Sequence, residues 1–286
     1  MTSITRDSPD QELDGTPGRG HASPPPRRSA WLFRAFRKYA RGYVRKHFHA
    51  LRIDREGPLP PIPPGPLIVP MNHASWWDPL VGVILTEQFT PEREFYAPID
   101  ATGLAQYPFL GRLGFFGVEL GTRRGGIRFL RQSLALLDLP EAALSITAQG
   151  HFADPRDRPV RFKAGIGHLV HRLGRGIVLP LAVEYPFWND RCPEILVRFG
   201  RPLAIRDEAP GSPEGWTARL EAALEETQDR LAERARRRDP ELFQTVIGGT
   251  AGVGGVYDSW RRFKARLRGE SFQPEHRLPN RESETT

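Results

Sequence analysis

The stretch PLIVPMNHASWWDPLVG, residues 66–82, joins a short apolar run to a polar turn and a second apolar run. The first run, 66–70, has the length and composition of a buried strand. Pro79 favours the first turn of a helix, because the N–H that proline lacks would have no partner within the helix at that position. We therefore predict a strand over 66–70 and a helix that begins near Asp78. A strand that leads directly into a helix is the repeating unit of α/β folds.

The same alternation continues through the central part of the chain. We predict further strands at 93–99, 115–120, 142–148, 176–185 and 194–200, and helices at 125–138, 164–174 and 213–238. This pattern predicts an α/β fold with a mixed, mostly parallel central sheet flanked by helices, and we assign it residues 57–240. Its first ten residues, rich in Pro and Gly, are expected to be stiff and extended.

A basic amphipathic segment precedes this domain. Residues 31–52 contain seven Arg or Lys and no Asp or Glu. Apolar residues recur there every three or four positions, at Leu32, Phe33, Phe36, Tyr39, Ala40, Tyr43, Val44, Phe48 and Leu51. We assign 31–56 to a basic amphipathic helix whose aromatic face enters an anionic membrane surface while Arg and Lys meet the headgroups. The alternative is an ordinary helix packed on the domain.

Composition narrows the partners and the location. The net charge of +7 indicates an anionic partner. Because the sequence contains no recognisable nucleic-acid-binding module, we expect no nucleic-acid partner. The single cysteine, Cys192, excludes an intrachain disulfide framework and a cysteine-rich metal site. The first 30 residues lack the features of a secretory signal, and no run of 18 uncharged apolar residues occurs. We expect a cytoplasmic protein, peripheral on the inner face of the cell membrane.

The two ends of the chain differ from its centre. Residues 1–30, rich in Ser, Pro, Gly and charge, are expected to form a disordered tail. Residues 241–286 are assigned to a Gly-rich connector and a C-terminal tail. The glycine-rich segment 246–257 lacks the Gly-Lys-Ser/Thr ending of a phosphate-binding loop, so we expect no nucleotide site there.

His73 and Asp78 carry the clearest chemical signal. A carboxylate on one ring nitrogen of a histidine fixes its tautomer and stabilises the imidazolium that forms during general-base catalysis. In a straight α-helix, positions five apart differ by about 140° around the axis and do not meet. The pair therefore requires His73 in the turn and Asp78 in the first helical turn, with Asn72 holding the turn and Ser75 as a cap. The alternative is a surface histidine beside a capping aspartate.

The string NHASWWDP, residues 72–79, resembles the first signature of the glycerolipid acyltransferase family, which includes bacterial lysophosphatidic acid acyltransferases. That signature is Asn-His-x-Ser-x-x-Asp, and all four fixed positions match. The similarity extends over residues 60–205. It implies acyl transfer to a lipid hydroxyl, with His73 and Asp78 as catalytic residues. The donor is acyl-CoA or acyl carrier protein, used as a cosubstrate, and the resemblance implies no further cofactor.

Later segments resemble further blocks of the same family. GVELGTRR, 117–124, is similar to the second block and places Arg123 at the family's arginine. IVLPLAV, 177–183, is similar to the fourth block, and Lys163 lies in a Phe-Lys-x-Gly run typical of the family. The substrate-binding candidates that follow are Asn72, Ser75, Arg123, Gln149, Gly150, His151 and Lys163. Backbone N–H groups near Gly150 are the expected oxyanion donors.

The third block departs from the family pattern. Glu-Gly-Thr-Arg is usual, whereas this chain has Gln149, Gly150, His151 and Phe152. Loss of the guanidinium removes a bidentate phosphate ligand, which favours a neutral lipid alcohol such as a glycosyl or carotenoid-type acceptor. The opposing interpretation is a lysophospholipid acceptor bound by arginines near Arg123.

One further alternative concerns function. The substituted third block also suits a non-catalytic, peripheral membrane relative that binds lipid. A metal centre is not expected, because His47 with His49, and His168 with His171, lack further ligands at matching spacing.

Overall fold

Ten strands form one mixed sheet in the computed structural model, which describes residues 26–206 and 211–250. The helices in these ranges are α1 (Ala30–His47), α2 (Asp78–Phe89), α3 (Ala101–Gln106), α4 (Arg123–Leu137), α5 (Gly165–Leu173) and α6 (Pro213–Arg236), with 3-10 turns at Pro108–Leu113 and Pro240–Leu242. The strands are β1 (Ala50–Asp54), β2 (Leu67–Met71), β3 (Glu94–Asp100), β4 (Phe115–Val118), β5 (Ala142–Thr147), β6 (Ile177–Val178), β7 (Leu181–Glu184), β8 (Glu194–Phe199), β9 (Leu203–Ala204) and β10 (Phe243–Gly248).

The sheet is mostly parallel. Its strands run in the order β10-β1-β8-β7-β2-β5-β3-β4, and β6 pairs with β2 and β9. Pairings that involve β2, β3 or β5 are all parallel, whereas β10, β7 and β9 each pair antiparallel with one neighbour. The predicted fold class, a mixed and mostly parallel sheet flanked by helices, is confirmed.

Helices cover both faces of the sheet. Because side chains alternate along a strand, Leu67 and Ile68 of β2 enter different clusters. On the Ile68 face, α4, α5 and α6 pack against the sheet through apolar side chains that include Phe129, Leu169, Trp216 and Leu220. On the Leu67 face, α1 and α2 pack through residues that include Val44, Val81 and Ile84. The carboxyl ends of β2 to β5 are left to form a site.

The predicted helix over 31–56 is too long. Helix α1 ends at His47, and residues 50–54 form strand β1 between β10 and β8. All five residues of β1 are buried, and Arg52 is accommodated because its Nε donates to Glu194 Oε2 at 3.0 Å. The change from helical spacing to strand alternation begins at Phe48, which has an extended backbone.

The apolar face of α1 is also not free. Leu32, Phe33 and Phe36 pack against the cluster around Phe95, and Val44 is fully buried. The prediction that this face enters a bilayer is therefore wrong, and the alternative, a helix packed on the domain, describes it. Its outer face exposes aromatic and cationic residues: Trp31, Arg34, Lys38, Tyr39, Arg45 and Lys46. Among the described residues, no helix is both long and apolar enough to cross a membrane.

Three other boundaries differ from the predictions. The strand expected at 176–185 is divided into β6 and β7 around Pro180, because proline has no N–H to donate to a ladder. Residues 243–248, assigned to the connector, form β10 against β1, so the α/β domain includes both of these strands. The short helices between β3 and β4 were not predicted. Residues 1–25 and 251–286, which hold most of both predicted tails, lie outside the described residues.

Candidate active site

His73 and Asp78 meet as the local geometry requires. His73 follows β2 in the turn, Asp78 is the first residue of α2, and His73 Nδ1 lies 2.7 Å from Asp78 Oδ2. The Asp78 carboxylate is fully buried and also accepts hydrogen bonds from the Ser75 N–H and the Tyr185 O–H. A carboxylate only accepts, so the proton of the neutral imidazole lies on Nδ1. This leaves the Nε2 lone pair as the base.

Asn72 ties this turn to the neighbouring strand. Its Nδ2 donates to the Val183 carbonyl at 2.9 Å, and its Oδ1 accepts from the Val183 N–H at 2.8 Å. Strands β2 and β7 pair directly only through Met71 and Leu181, so Asn72 continues the contact beyond the ladder. Asn72 is 1% exposed, both of its side-chain polar atoms are engaged, and it is not among the residues that line the cavity, so its visible role is to hold the turn. Its predicted contact with substrate stays a prediction.

Ser75 does not cap α2 as expected. Trp77 occupies the N-cap position and makes no side-chain cap hydrogen bond. The Ser75 N–H instead donates to Asp78 Oδ2 at 3.0 Å, so the carboxylate organises the turn. Of the two adjacent tryptophans, Trp77 packs edge-on against Phe48, whereas Trp76 is 75% exposed.

The segment after β5 cradles His73. Gln149 Oε1 accepts from the His73 N–H at 3.0 Å, and the His73 carbonyl accepts from the Ala153 N–H at 2.9 Å. The Phe152 ring lies 4.2 Å from the imidazole, centroid to centroid. The amide at position 149 thus supplies the acceptor oxygen that this contact needs.

Gly150, His151 and Lys163 lie together at the same edge. All three line one cavity with His73. Gly150 has φ +72°, a left-handed conformation that favours glycine, and an added Cβ would lie 3.3 Å from the Lys163 side chain. The structure thus brings these three residues together with His73, and their predicted contact with substrate stays a prediction.

Arg123 occupies a different place. It begins α4, whose N-cap Thr122 accepts from the Gly125 N–H at 2.9 Å. Thr122 and Gly126 line the cavity, whereas Arg123 is exposed at its rim. Arg124 is exposed beside it, and the structure brings neither guanidinium next to His73 in the cavity lining.

The cavity itself has a volume of about 620 Å³. This lies within the range of about 300–1,000 Å³ typical of small-molecule sites. The cavity runs from His73 along the carboxyl ends of β2 to β5 and is lined mostly by apolar side chains. Met71, Phe95 and Phe115 line it on the α2 side of the sheet, and Phe129, Ile146 and Ile166 line it on the side of α4 and α5. Gly82 of α2 also lines it, and a Cβ there would lie 3.3 Å from the Phe95 ring. The site therefore combines a histidine that is held by a buried carboxylate with an apolar chamber.

Two ionisable groups near the site were not predicted from the sequence: Glu184, the last residue of β7, and Tyr185, which follows it. Burial, together with the charge of Asp78, raises the pKa of Tyr185 well above its usual value, so its hydroxyl remains a donor. Burial also raises the pKa of Glu184, and Arg156 partly opposes this through a 3.1 Å hydrogen bond. The Glu184–Arg156 pair fastens the segment that carries Phe152 to β7.

Tyr185, Gln149 and Phe152 owe their roles to strand order. Tyr185 ends a predicted strand, but only the adjacency of β7 and β2 shows that it reaches Asp78. Within the described residues, no group of three or more His, Cys, Asp or Glu is arranged to hold a metal ion.

Comparison with protein-family models gives no match for this chain, and a search of curated proteins gives none either.

Proposed function

We propose that the chain is an O-acyltransferase that moves an acyl group from a thioester to a lipid hydroxyl. The observation that carries the proposal is the His73–Asp78 pair, 2.7 Å apart, at the wall of an apolar cavity. The thioester is that of acyl-CoA or acyl carrier protein. The motif around His73 also resembles that of the glycerolipid acyltransferases.

The chemistry needs one base and no protein nucleophile. His73 Nε2 takes the proton of the acceptor hydroxyl, whose oxygen attacks the thioester carbonyl carbon. The new C–O bond forms, the C–S bond breaks, and the departing thiolate receives the proton from the imidazolium. Asp78 stabilises the imidazolium between these steps, as the carboxylate of a Ser-His-Asp triad does.

The oxyanion needs donors near the base. The Gly150 N–H is bonded to the Thr147 carbonyl at 3.1 Å, and the Ala153 N–H to that of His73. We therefore assign the role to the N–H groups of His151 and Phe152, which lie between them at the cavity wall.

The acyl chain is assigned to the apolar part of the cavity. Met71, Phe95 and Phe115 supply a surface that excludes water, and burial of each methylene contributes about 0.8 kcal/mol. The reacting carbonyl then lies beside His73 while the chain extends away from it between α2 and the sheet.

The cavity mouth is assigned to an anionic membrane surface, on the cytoplasmic side. Large apolar side chains are exposed around it: Trp76, Leu120, Ile127 and Phe152. Exposed cations of α4 accompany them, and the outer face of α1 carries Trp31 and Tyr39 with Arg and Lys. Aromatic and cationic residues together suit the headgroup region of a bilayer.

The lining favours a neutral hydroxyl as acceptor. Among the described residues that line the cavity, Lys163 is the only Lys or Arg, while Asp100 and Glu119 also line it. A phosphate in this cavity would have one lining cation, Lys163, to neutralise it. A lysophospholipid is the second candidate, because Arg123, Arg124 and Arg128 are all exposed near the rim.

Product identification by mass spectrometry tests the proposal. Purified protein is incubated with a lipid extract and labelled acyl-CoA, then with labelled acyl carrier protein. We expect an acylated lipid that disappears in His73→Gln and persists in His168→Gln, a matched change at an exposed histidine of α5. The product mass shows whether the acceptor bears phosphate. Vesicle binding without acylation from either donor would favour a non-catalytic lipid-binding protein instead.

A further inference from the structure

We propose that Tyr185 is a positioning residue that holds the Asp78 carboxylate against His73 and tunes the strength of this base. The proposal rests on the proposed acyl transfer for its catalytic meaning. Its structural basis is a chain of two hydrogen bonds that joins Tyr185, Asp78 and His73.

The two bonds use opposite oxygens of one carboxylate. The Tyr185 hydroxyl donates to Asp78 Oδ1 at 2.7 Å, and His73 Nδ1 donates to Oδ2 at 2.7 Å. The Ser75 N–H also donates to Oδ2. Asp78 is fully buried, so rotation of its carboxylate would leave donors unpaired away from water. Tyr185 thus locks the torsion that presents Oδ2 to the imidazole.

The hydroxyl of Tyr185 is itself held in place. Two residues earlier, the backbone of Val183 is bonded at both polar atoms to Asn72, which precedes His73. The Tyr185 ring packs against Trp77 at 5.5 Å and Phe48 at 6.2 Å between centroids. These contacts fix β7 and Tyr185 relative to the turn between β2 and α2 that carries His73.

The same contact sets how much charge Asp78 offers to His73. A hydrogen bond from Tyr185 withdraws charge from the carboxylate, which weakens its stabilisation of the imidazolium. Tyr185 remains a donor because burial raises its pKa well above the ordinary value. The titratable groups near Tyr185 are His73 and Asp78, in the turn between β2 and α2, and Tyr43 of α1. The Tyr43 hydroxyl accepts a hydrogen bond from Trp77 Nε1. Tyr185 does not line the cavity, so it acts through Asp78.

Tyr185→Phe tests this role while it keeps the ring. We expect kcat to fall about tenfold with little change in KM, because the lost contact acts on the base and leaves the cavity unaltered. The imidazole of His73, followed by NMR in protein with ¹⁵N-labelled histidine, is expected to titrate about half a pH unit higher. The acidic limb of the kcat/KM profile moves in the same direction.

Tyr43→Phe is the matched control. It removes a phenolic hydroxyl from the same aromatic cluster, 3.4 Å from Trp77 Nε1, without a contact to Asp78. We expect it to leave both kcat and the His73 titration unchanged. Equal effects of the two variants would overturn the proposal, because a general loss of packing would then explain both.

A second replacement covers the case in which Tyr185→Phe fails to fold. Incorporation of 3-fluorotyrosine at position 185 retains the hydroxyl and makes it a stronger donor. We expect the His73 titration to move to lower pH, opposite to the effect of phenylalanine. An unchanged titration in this protein overturns the proposal.

The NMR titration also separates this proposal from the acyltransferase proposal. If the unaltered protein acylates nothing while Tyr185→Phe shifts the His73 titration, acyl transfer fails and the positioning contact stands. If the unaltered protein acylates a lipid while Tyr185→Phe changes neither kcat nor the titration, the role of Tyr185 alone fails.

Discussion

The side-chain oxygen of Gln149 accepts a hydrogen bond from the backbone N–H of His73 at 3.0 Å, joining the ends of strands β5 and β2. The two residues are 76 positions apart in the chain. The glycerolipid acyltransferases that the motif resembles usually have glutamate at this position. The contact shows why glutamine can replace it, since either side chain offers an acceptor oxygen.

Replacement of Gln149 tests whether this acceptor supports the base. In Gln149→Leu the His73 N–H loses its partner, and we expect the free energy of unfolding to fall by about 1–3 kcal/mol. Because His73 loses its orientation, we expect acylation to slow by about tenfold. Gln149→Glu, which keeps an acceptor oxygen, should remain within a few-fold of the original rate. Equal rates for the leucine and glutamate variants would contradict the assignment.

Enlargement of Gly82 tests the place of the acyl chain. Gly82 lines the cavity, and a Cβ there lies 3.3 Å from the Phe95 ring, so a leucine side chain occupies space that the chain would need. We expect Gly82→Leu to lose palmitoyl-CoA as a donor and to retain octanoyl-CoA. The readout is the ratio of the two rates in competition. Gly42→Leu, at an exposed glycine of α1 with open space around its Cα, should leave that ratio unchanged.

Replacement of cations on the outer face of α1 tests the proposed binding to an anionic membrane. Arg34→Gln with Lys38→Gln removes two exposed cations without touching the apolar face that packs on the domain. Each charge near an anionic surface contributes about 1 kcal/mol, so we expect affinity to fall about 30-fold. The measurement is sedimentation with vesicles that contain phosphatidylglycerol. Arg230→Gln on α6 serves as the control, and an equal loss there would argue against a defined membrane face.

Trp76 tests whether the cavity mouth faces the bilayer. It is 75% exposed in the turn between β2 and α2, so its removal leaves the core intact. We expect Trp76→Ser to bind vesicles less tightly and to show less quenching of tryptophan fluorescence by brominated lipids. Unchanged quenching would place the mouth away from the membrane.

His49 makes stability depend on pH. A hydrogen bond from its Nδ1 to Glu194 raises the pKa of His49 above 6.5, more than burial lowers it, and Asp190 adds to the increase. Because the folded-state pKa is raised, the stabilisation is complete below about pH 6.5 and is lost as pH rises through the folded value.

To isolate this effect, the free energy of unfolding in urea is compared between His49→Gln and the unaltered protein. We expect a difference of about 1–2 kcal/mol at pH 5.5 that shrinks by pH 9. His168→Gln, at an exposed position on α5, should give no such pH-dependent difference. A His49→Gln difference that stays constant with pH would show that packing, and not charge, accounts for the contribution.

Segments in which apolar residues follow a single clear spacing were predicted well. Strand β2, helix α2 and the strands β3, β5 and β8 lie close to their predicted ranges, because their apolar runs and turn residues agree with the tertiary environment. The errors lie where one element passes directly into another. The apolar spacing of α1 continues through Phe48 into β1, and only the pairing of β1 with β8 and β10 distinguishes strand from helix there.

The sequence by itself determined the contact of His73 with Asp78, because residues five apart on either side of a strand–helix turn are brought together by local backbone geometry. The tertiary structure alone decided that Tyr185 and Gln149 complete this site. Their strands flank β2 through pairings between residues more than 70 positions apart, which no local pattern encodes. It also decided that α1 packs its apolar face inward, because an amphipathic helix buries that face against whichever apolar surface lies beside it, here the sheet and α2.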